Sequence, residues 1–442
     1  MRTFTLGMQH VLAMFAGAIL VPILLSQALN LTSEQTAYLI AIDLFTCGVA
    51  TIMQSWKTKY TGIGLPAVLG ASVVAAGPMI AIGGEYGMTA IYGSILVSGL
   101  VVVLFAKYLS HVIHFFPPVV TGTVITLIGL TLLPVGINNM AGGTGSENFG
   151  SLNHVLLGLG VLALILVLQS FFKGPLRSLS ILIGLVAGTI FVAVRGDINF
   201  SEVAGASWVS MPQPFYFGMP TFEPGAIIPM LIVTLIILFE STGVFLALGK
   251  VCDEKVEATD LERGYRAEGF AFLVGGLFNG FAYNTFAQNV GLVQLSRVKT
   301  VAVTFTAGFI LIALGLTPKI AALIKLIPPP ALGAAMVVLF GMVAVSGIRM
   351  LTQVDLENNQ NVLVISVALG LGLGTTIVPE LFAQVPEQIS FLFHDGIITG
   401  SLAAIGLHLL NVTKEVFACR FREQTTFKRS LKMTLKENNE HA

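Results

Sequence analysis

The chain of 442 residues is 55% hydrophobic and only 10% charged, with a mean hydropathy of +0.87. Soluble domains carry about 25% charged residues, so the composition points away from any ordinary soluble enzyme or binding module. Basic and acidic residues cancel at 23 each, which leaves no bulk charge to attract nucleic acid.

The first apolar run, near 5–27, follows Arg2 and has the outline of a signal peptide. Gln9 and His10 interrupt it, and it continues past Pro22 without a small-residue cleavage site, so it reads as a retained first span. About 20 apolar residues cross a bilayer core. Further runs lie near 36–55, 62–83, 88–106, 112–133, 153–172 and 178–194. After a longer loop come 226–249, 267–280, 283–296, 300–316, 320–345, 361–378 and 390–411. The pattern predicts an all-α polytopic membrane protein of 14 spans, with spans 9 and 10 short. With both termini cytoplasmic, 20 of the 23 basic residues fall on inner segments, and only Arg195, Lys319 and Lys325 fall outside. An even span count requires this alternation. The 412–442 tail has mixed charge with a basic excess and reads as a solvated or lipid-surface segment.

The segment 117–137 returns at 328–348. At a constant offset of 211, Pro117/Pro328, Pro118/Pro329, Gly122/Gly333, Gly136/Gly347 and Ile137/Ile348 coincide. Glycine, proline and aliphatic residues recur in any membrane protein; the stronger reading is two related halves of seven spans. Seven is odd, so the second half enters from the opposite side, the inverted repeat of many secondary transporters, which bind substrate on discontinuous helices near the midplane. Span 3 is interrupted by Pro66, Gly70, Gly77 and Pro78, and span 10, its counterpart, carries Asn284, Gln288, Asn289 and Gln294. The site is expected between these two spans.

Polar groups inside a bilayer are costly and mark function or a specific bond. Glu240 sits in span 8 with an apolar turn on either side, placed to accept N–H groups from a substrate, to carry a proton, or to bond Ser241 or Thr242. Glu268 opens span 9, either near the midplane or paired with Arg266 at the cytoplasmic end. Asp43 in span 2 and His10 in span 1 fit a proton relay and a structural bond equally well. Gln288 offers a donor and an acceptor, the pattern that a planar lactam such as a nucleobase edge requires. Asn289 is suited to the freed backbone of a broken helix, and Gly291 to close packing. Cys47, Cys252 and Cys419 are far apart and show no metal-ligand spacing or disulfide framework. There is no Walker A sequence and no HExxH, and the 370–374 GLGLG run reads as helix packing. No cofactor, metal or enzymatic activity is expected.

The 288–297 segment, QNVGLVQLSR, resembles the signature of the nucleobase–ascorbate transporter family: Gln or Glu, Asn, any residue, Gly, four residues, Thr, then Arg, Lys or Gly. QHVLAMFAGAILVP in span 1, FESTG around Glu240 and RAEG before span 9 are similar to it too, and the likeness runs over nearly the whole chain, closest to the bacterial xanthine permeases. The resemblance implies a proton-coupled purine symporter of the plasma membrane, taking up xanthine by alternating access. It implies a core domain of spans 1–4 and 8–11 (1–107 and 226–317) and a gate domain of spans 5–7 and 12–14 (108–225 and 318–411), with a homodimer formed through the gates. Half-helices in spans 3 and 10 are then joined through short strands. By carry-over, Glu240 and Gln288 bind the purine, the backbones of Val73 and Ala287 contact it, and Phe286 lies beside its ring. Glu268 and His10 serve proton coupling or support the site, as do Asn289 and Gly291. Three positions depart from the family pattern: Val244 where relatives often place Asp or His, Val73 for an aromatic, and Ser296 for Thr.

Rival expectations are a uric acid or uracil permease of the same family and, from other classes, an anion carrier of the sulfate type or a passive channel. An anion carrier favours a basic residue or positive helix ends at the site, and a channel does not accumulate its cargo.

Overall fold

The computed structural model describes residues 2–112, 117–143, 145–382, 385 and 396–413. The start of expected span 14 and the tail beyond 413, with Cys419, lie outside the described residues. In chain order the spans are 1 (Arg2–Ala28), 2 (Ser33–Ser55), 3 (strand β1, Leu69–Ala71, then helix Val73–Tyr86), 4 (Met88–Val112), 5 (Pro118–Met140), 6 (Leu152–Phe171) and 7 (Ser180–Val194). The second half holds 8 (Pro224–Cys252), 9 (Ala258–Phe278), 10 (strand β2, Tyr283–Thr285, then helix Gln288–Ser296), 11 (Ala302–Gly315), 12 (Pro329–Leu351), 13 (Asn359–Ile377) and 14 (Gly396–Thr413). Among the described residues nine helices are long and apolar enough to cross a membrane unaided. The other spans fall short because they begin as strands, are brief, or, in span 9, carry charge.

Local chemistry sets the ends. Thr32 and Gln35 form a capping box at the start of span 2, and spans 5, 8 and 12 start with proline in the first turn, where its missing N–H costs nothing. Two expected boundaries are corrected. Span 9 starts at Ala258 rather than 267, because its charged first half is helical and solvated, with Asp260 paired to Lys57 and Arg263. The run read as span 12 from 320 is broken before Pro328: Pro318–Lys325 is a separate short helix bent 80° from span 11, and span 12 starts at Pro329.

The repeat is visible in the packing. Spans 5 and 12 are both 23-residue helices, capped by Pro117 and Pro328, with ends related by the same offset of 211. They run antiparallel with glycines at the crossings. A Cβ on Gly333 would lie 2.6 Å from the Gly136 oxygen, and one on Gly347 would lie 2.6 Å from the Gly122 oxygen. Exchanging the halves turns one contact into the other. The same exchange relates the span 2–11 contact, Gly48 against Gly308, to the span 9–4 contact, Gly269 against Gly99. It also relates the two strands, which pair antiparallel as Leu69↔Thr285, Gly70↔Asn284 and Ala71↔Tyr283. The chain is thus two inverted seven-span halves. Spans 1–4 pack with 8–11 around the strand pair, while 5–7 pack with 12 and 13.

Close approach makes these glycines obligatory. Gly333→Ala places a methyl 2.2 Å from the Met140 nitrogen, and overpacking of this kind costs about 1–3 kcal/mol. Thermal denaturation of the purified protein is expected to show a melting temperature lower by about 1–3 °C. Gly291→Ala, whose Cβ meets nothing within 4 Å, leaves it unchanged; equal melting of both variants contradicts this packing.

Candidate functional site

Strands β1 and β2 are too short to stand alone and are held at both ends. The Phe286 N–H donates to the Val68 oxygen (2.9 Å) and the Ser72 N–H to the Ala282 oxygen (2.8 Å), while the Leu69 N–H donates to the Thr51 hydroxyl (3.0 Å). Each strand leads into a half-helix whose first N–H groups have no partner in their own helix. Val73 is the first residue of one half-helix and Ala287 the N-cap of the other. Both were expected to contact substrate from strands; they stand instead at helix N-termini, where partial positive charge gathers. The expected joining of two half-helices is also simpler here: each broken span is one strand followed by one helix.

A cavity of about 290 Å³ opens where these N-termini meet spans 1, 5, 8 and 12. Glu240, Gln288, Ala287, Val73 and Phe286, the five residues expected to bind substrate, all line it. Gly17, Asn284, Ile125, Met342 and Ser346 line it as well and were not singled out for the site. In the sequence Asn284 stands out only as an unusual polar residue, and Ser346 is a lone hydroxyl in an apolar run. Gln288, Gly291 and Gln294 form an exposed stripe on the span 10 half-helix leading toward Arg297, so Gly291 is not the close-packing glycine expected.

Neighbouring residues on span 8 bind neighbouring residues on β2. The Asn284 amide donates to Glu240 Oε2 at 2.7 Å, and the Thr285 N–H donates to the Ser241 hydroxyl at 3.2 Å. The Thr285 hydroxyl in turn donates to Glu268 Oε1 at 2.9 Å. Glu268 is fully buried midway along span 9, and its Oε2 has no hydrogen bond among the described residues. It does not pair with Arg266, which bonds Glu262 at 2.5 Å. The Asn289 amide bonds His10 Nδ1 at 3.0 Å; Asn289 therefore joins span 10 to span 1 rather than capping free backbone. Asp43 lies away from the cavity, fully buried, accepting from the Cys47 thiol at 3.5 Å beside Tyr283. The Phe286 ring is wedged between Gly17 and Gly70, where Cβ atoms would lie 2.7 and 1.9 Å from it.

A larger cavity, about 840 Å³, opens at the opposite end of the same cleft and is lined by Gln27, Asn30, Asn138 and Lys325. It lacks the strand tips and carboxyls. Buried Val21, Met79, Leu132 and Met336 fill the helices between the two cavities. At that end Lys325 bonds Glu202 (2.5 Å) and Ser33, and its ammonium holds the Glu202 carboxyl below the usual range.

An inverted repeat with two broken spans meeting at a small, mostly apolar cavity that holds Glu240 and Gln288 defines a membrane carrier. Residues 1–381 match the Xan_ur_permease model, described as a permease family. The chain belongs to this family, the nucleobase–ascorbate transporters. It is 56% identical over 413 residues to the uric acid permease PucJ of Bacillus subtilis (strain 168), covering 92% of each chain. It is 50% identical over 417 residues to the xanthine permease of the same strain, covering 94% of each. Among solved structures, the transmembrane domain of the cyanobacterial bicarbonate transporter BicA matches 91% of this chain and 97% of its own, with a TM-score of 0.57 at 15% identity. That likeness concerns the fold alone.

Proposed function

We propose that the chain takes up oxidised purines, uric acid first and xanthine second, together with protons. Xanthine was the first expectation and uric acid its alternative; the higher identity to a permease named for uric acid favours the reverse order. The observation that carries the proposal is the lining of the smaller cavity, where Glu240 is the one charged side chain and Gln288 offers an amide edge. Uric acid is an anion at neutral pH. Two helix N-termini favour an anion, but an ionised Glu240 repels it, so a proton on Glu240 has to accompany urate. Neutral xanthine instead donates N–H groups to the carboxyl. The carboxyl argues against a small inorganic anion as cargo, and the apolar side chains between the two cavities argue against an open channel.

By the positive-inside bias the Arg297 end is cytoplasmic, and the exposed stripe from Gln288 to Gln294 opens the cavity toward it. The core (1–107 and 226–317) then moves against the gate (108–225 and 318–411) to open the outer side. The test is uptake of labelled urate and xanthine by cells lacking their own purine carriers, with and without a protonophore, against unlabelled competitors. Saturable accumulation that the protonophore abolishes, with urate competing better than xanthine and both better than uracil, is expected. Uptake that only equilibrates, or a preference for uracil, contradicts the proposal.

A further inference from the structure

Glu240 is a flexible side chain at the wall of a cavity, yet its work requires one fixed oxygen. Three bonds pin the two residues that follow Asn284: Ser241 accepts the Thr285 N–H, Glu268 accepts the Thr285 hydroxyl, and Val68 accepts the Phe286 N–H. Asn284 itself sits opposite Gly70 in the strand pair. Its amide therefore reaches Glu240 Oε2 from a rigid base, the arrangement that holds a working group in place.

We propose that Asn284 is the positioning residue for Glu240: it occupies Oε2, turns the carboxyl toward the cavity and leaves Oε1 as the atom that meets both purine and proton. This rests on the reading of Glu240 as a purine contact. With Oε2 already accepting an N–H, a proton on the carboxyl sits on Oε1 and is donated into the cavity, as an anionic purine needs. An ionised carboxyl presents the same atom as acceptor, as a neutral purine needs. Asn284 thus lets one group serve both forms of cargo without moving. Among the described residues the titratable groups near Glu240 are on span 9, Glu268 and, through its bond to Thr242, Tyr265, and the side chains that spans 1, 3, 5, 10 and 12 turn to the cavity are uncharged.

The test is calorimetric binding of urate to the purified full chain across a pH series, for wild type, Asn284→Ala, Glu240→Ala and the double variant. Asn284→Ala is expected to weaken binding about tenfold, the scale of a hydrogen bond to a charged group. It is also expected to shift the binding profile to higher pH, because the ionised carboxyl loses a donor. In the Glu240→Ala background the same change is expected to cost less than about twofold, since a residue acting through the carboxyl has nothing left to position. A tenfold loss with an unmoved pH profile reveals a merely structural role and overturns the proposal, as does no loss at all. If Glu240→Ala binds too weakly to measure, the Asn284→Ala pH profile decides by itself. If Glu240→Ala binds urate like wild type, the purine-contact reading fails, and this inference fails with it.

Discussion

Glu240→Gln is expected to lower the accumulation of urate and xanthine by about 100-fold, with normal amounts of protein in the membrane. The substitution keeps size and shape but reverses the hydrogen-bonding face. Asn284 donates to one oxygen of the native carboxyl, so the glutamine must turn its carbonyl toward Asn284 and point its NH₂ into the cavity. There it meets the N–H groups of neutral xanthine donor to donor, and for urate, which it can still offer a donor, it can no longer carry the proton that drives accumulation. Losing a charged acceptor and leaving a buried donor unpaired costs about 3 kcal/mol together, which corresponds to the 100-fold fall. Initial uptake rates, normalised to protein in the membrane, measure it. A variant that still accumulates either purine within a fewfold of wild type removes Glu240 from the mechanism.

Gly70→Ala is expected to be nearly as damaging, although no side chain at 70 touches a substrate. The added methyl would lie 1.9 Å from the Phe286 ring, which Gly17 blocks on its other edge. The ring must then tilt into the cavity it lines, or the strand pair must open at Gly70↔Asn284. Overpacking of about 1–3 kcal/mol at this point is expected to lower uptake by tenfold or more. Combining it with Phe286→Leu, which removes the obstructing ring atoms, is expected to recover part of the loss. Near-normal uptake by Gly70→Ala, or no recovery in the double variant, shows that the wedge does not shape the site.

Much of the architecture was legible because the bilayer enforces simple rules. Apolar length gave the spans, and the repeated Pro-Pro, Gly and Gly-Ile positions of spans 5 and 12 gave the inverted halves. Boundaries failed where polarity and helicity part company. The charged first half of span 9 is helical because it is capped and ion-paired, which hydropathy does not register. The 320–345 run looked continuous because its average apolarity hides the break at Pro328–Pro330. At the site, Glu240 and Gln288 stood out as polar groups in apolar surroundings, and the cavity does gather them. What the sequence hid was pairing. The bonds from Asn284 to Glu240 and from Thr285 to Glu268 join residues 44 and 17 positions apart, through a strand only three residues long. Gly291 shows the reverse case: a signature glycine suggests close packing, but its face is open beside Gln288.

The central claim is that the small cavity between the two broken spans holds the purine. A density map of the purified protein with saturating urate tests it most directly. A flat density against Glu240 and Gln288, beneath the Val73 and Ala287 N-termini, is the predicted result. Urate density confined to the larger cavity near Asn138 and Lys325, with the small one empty, contradicts the account.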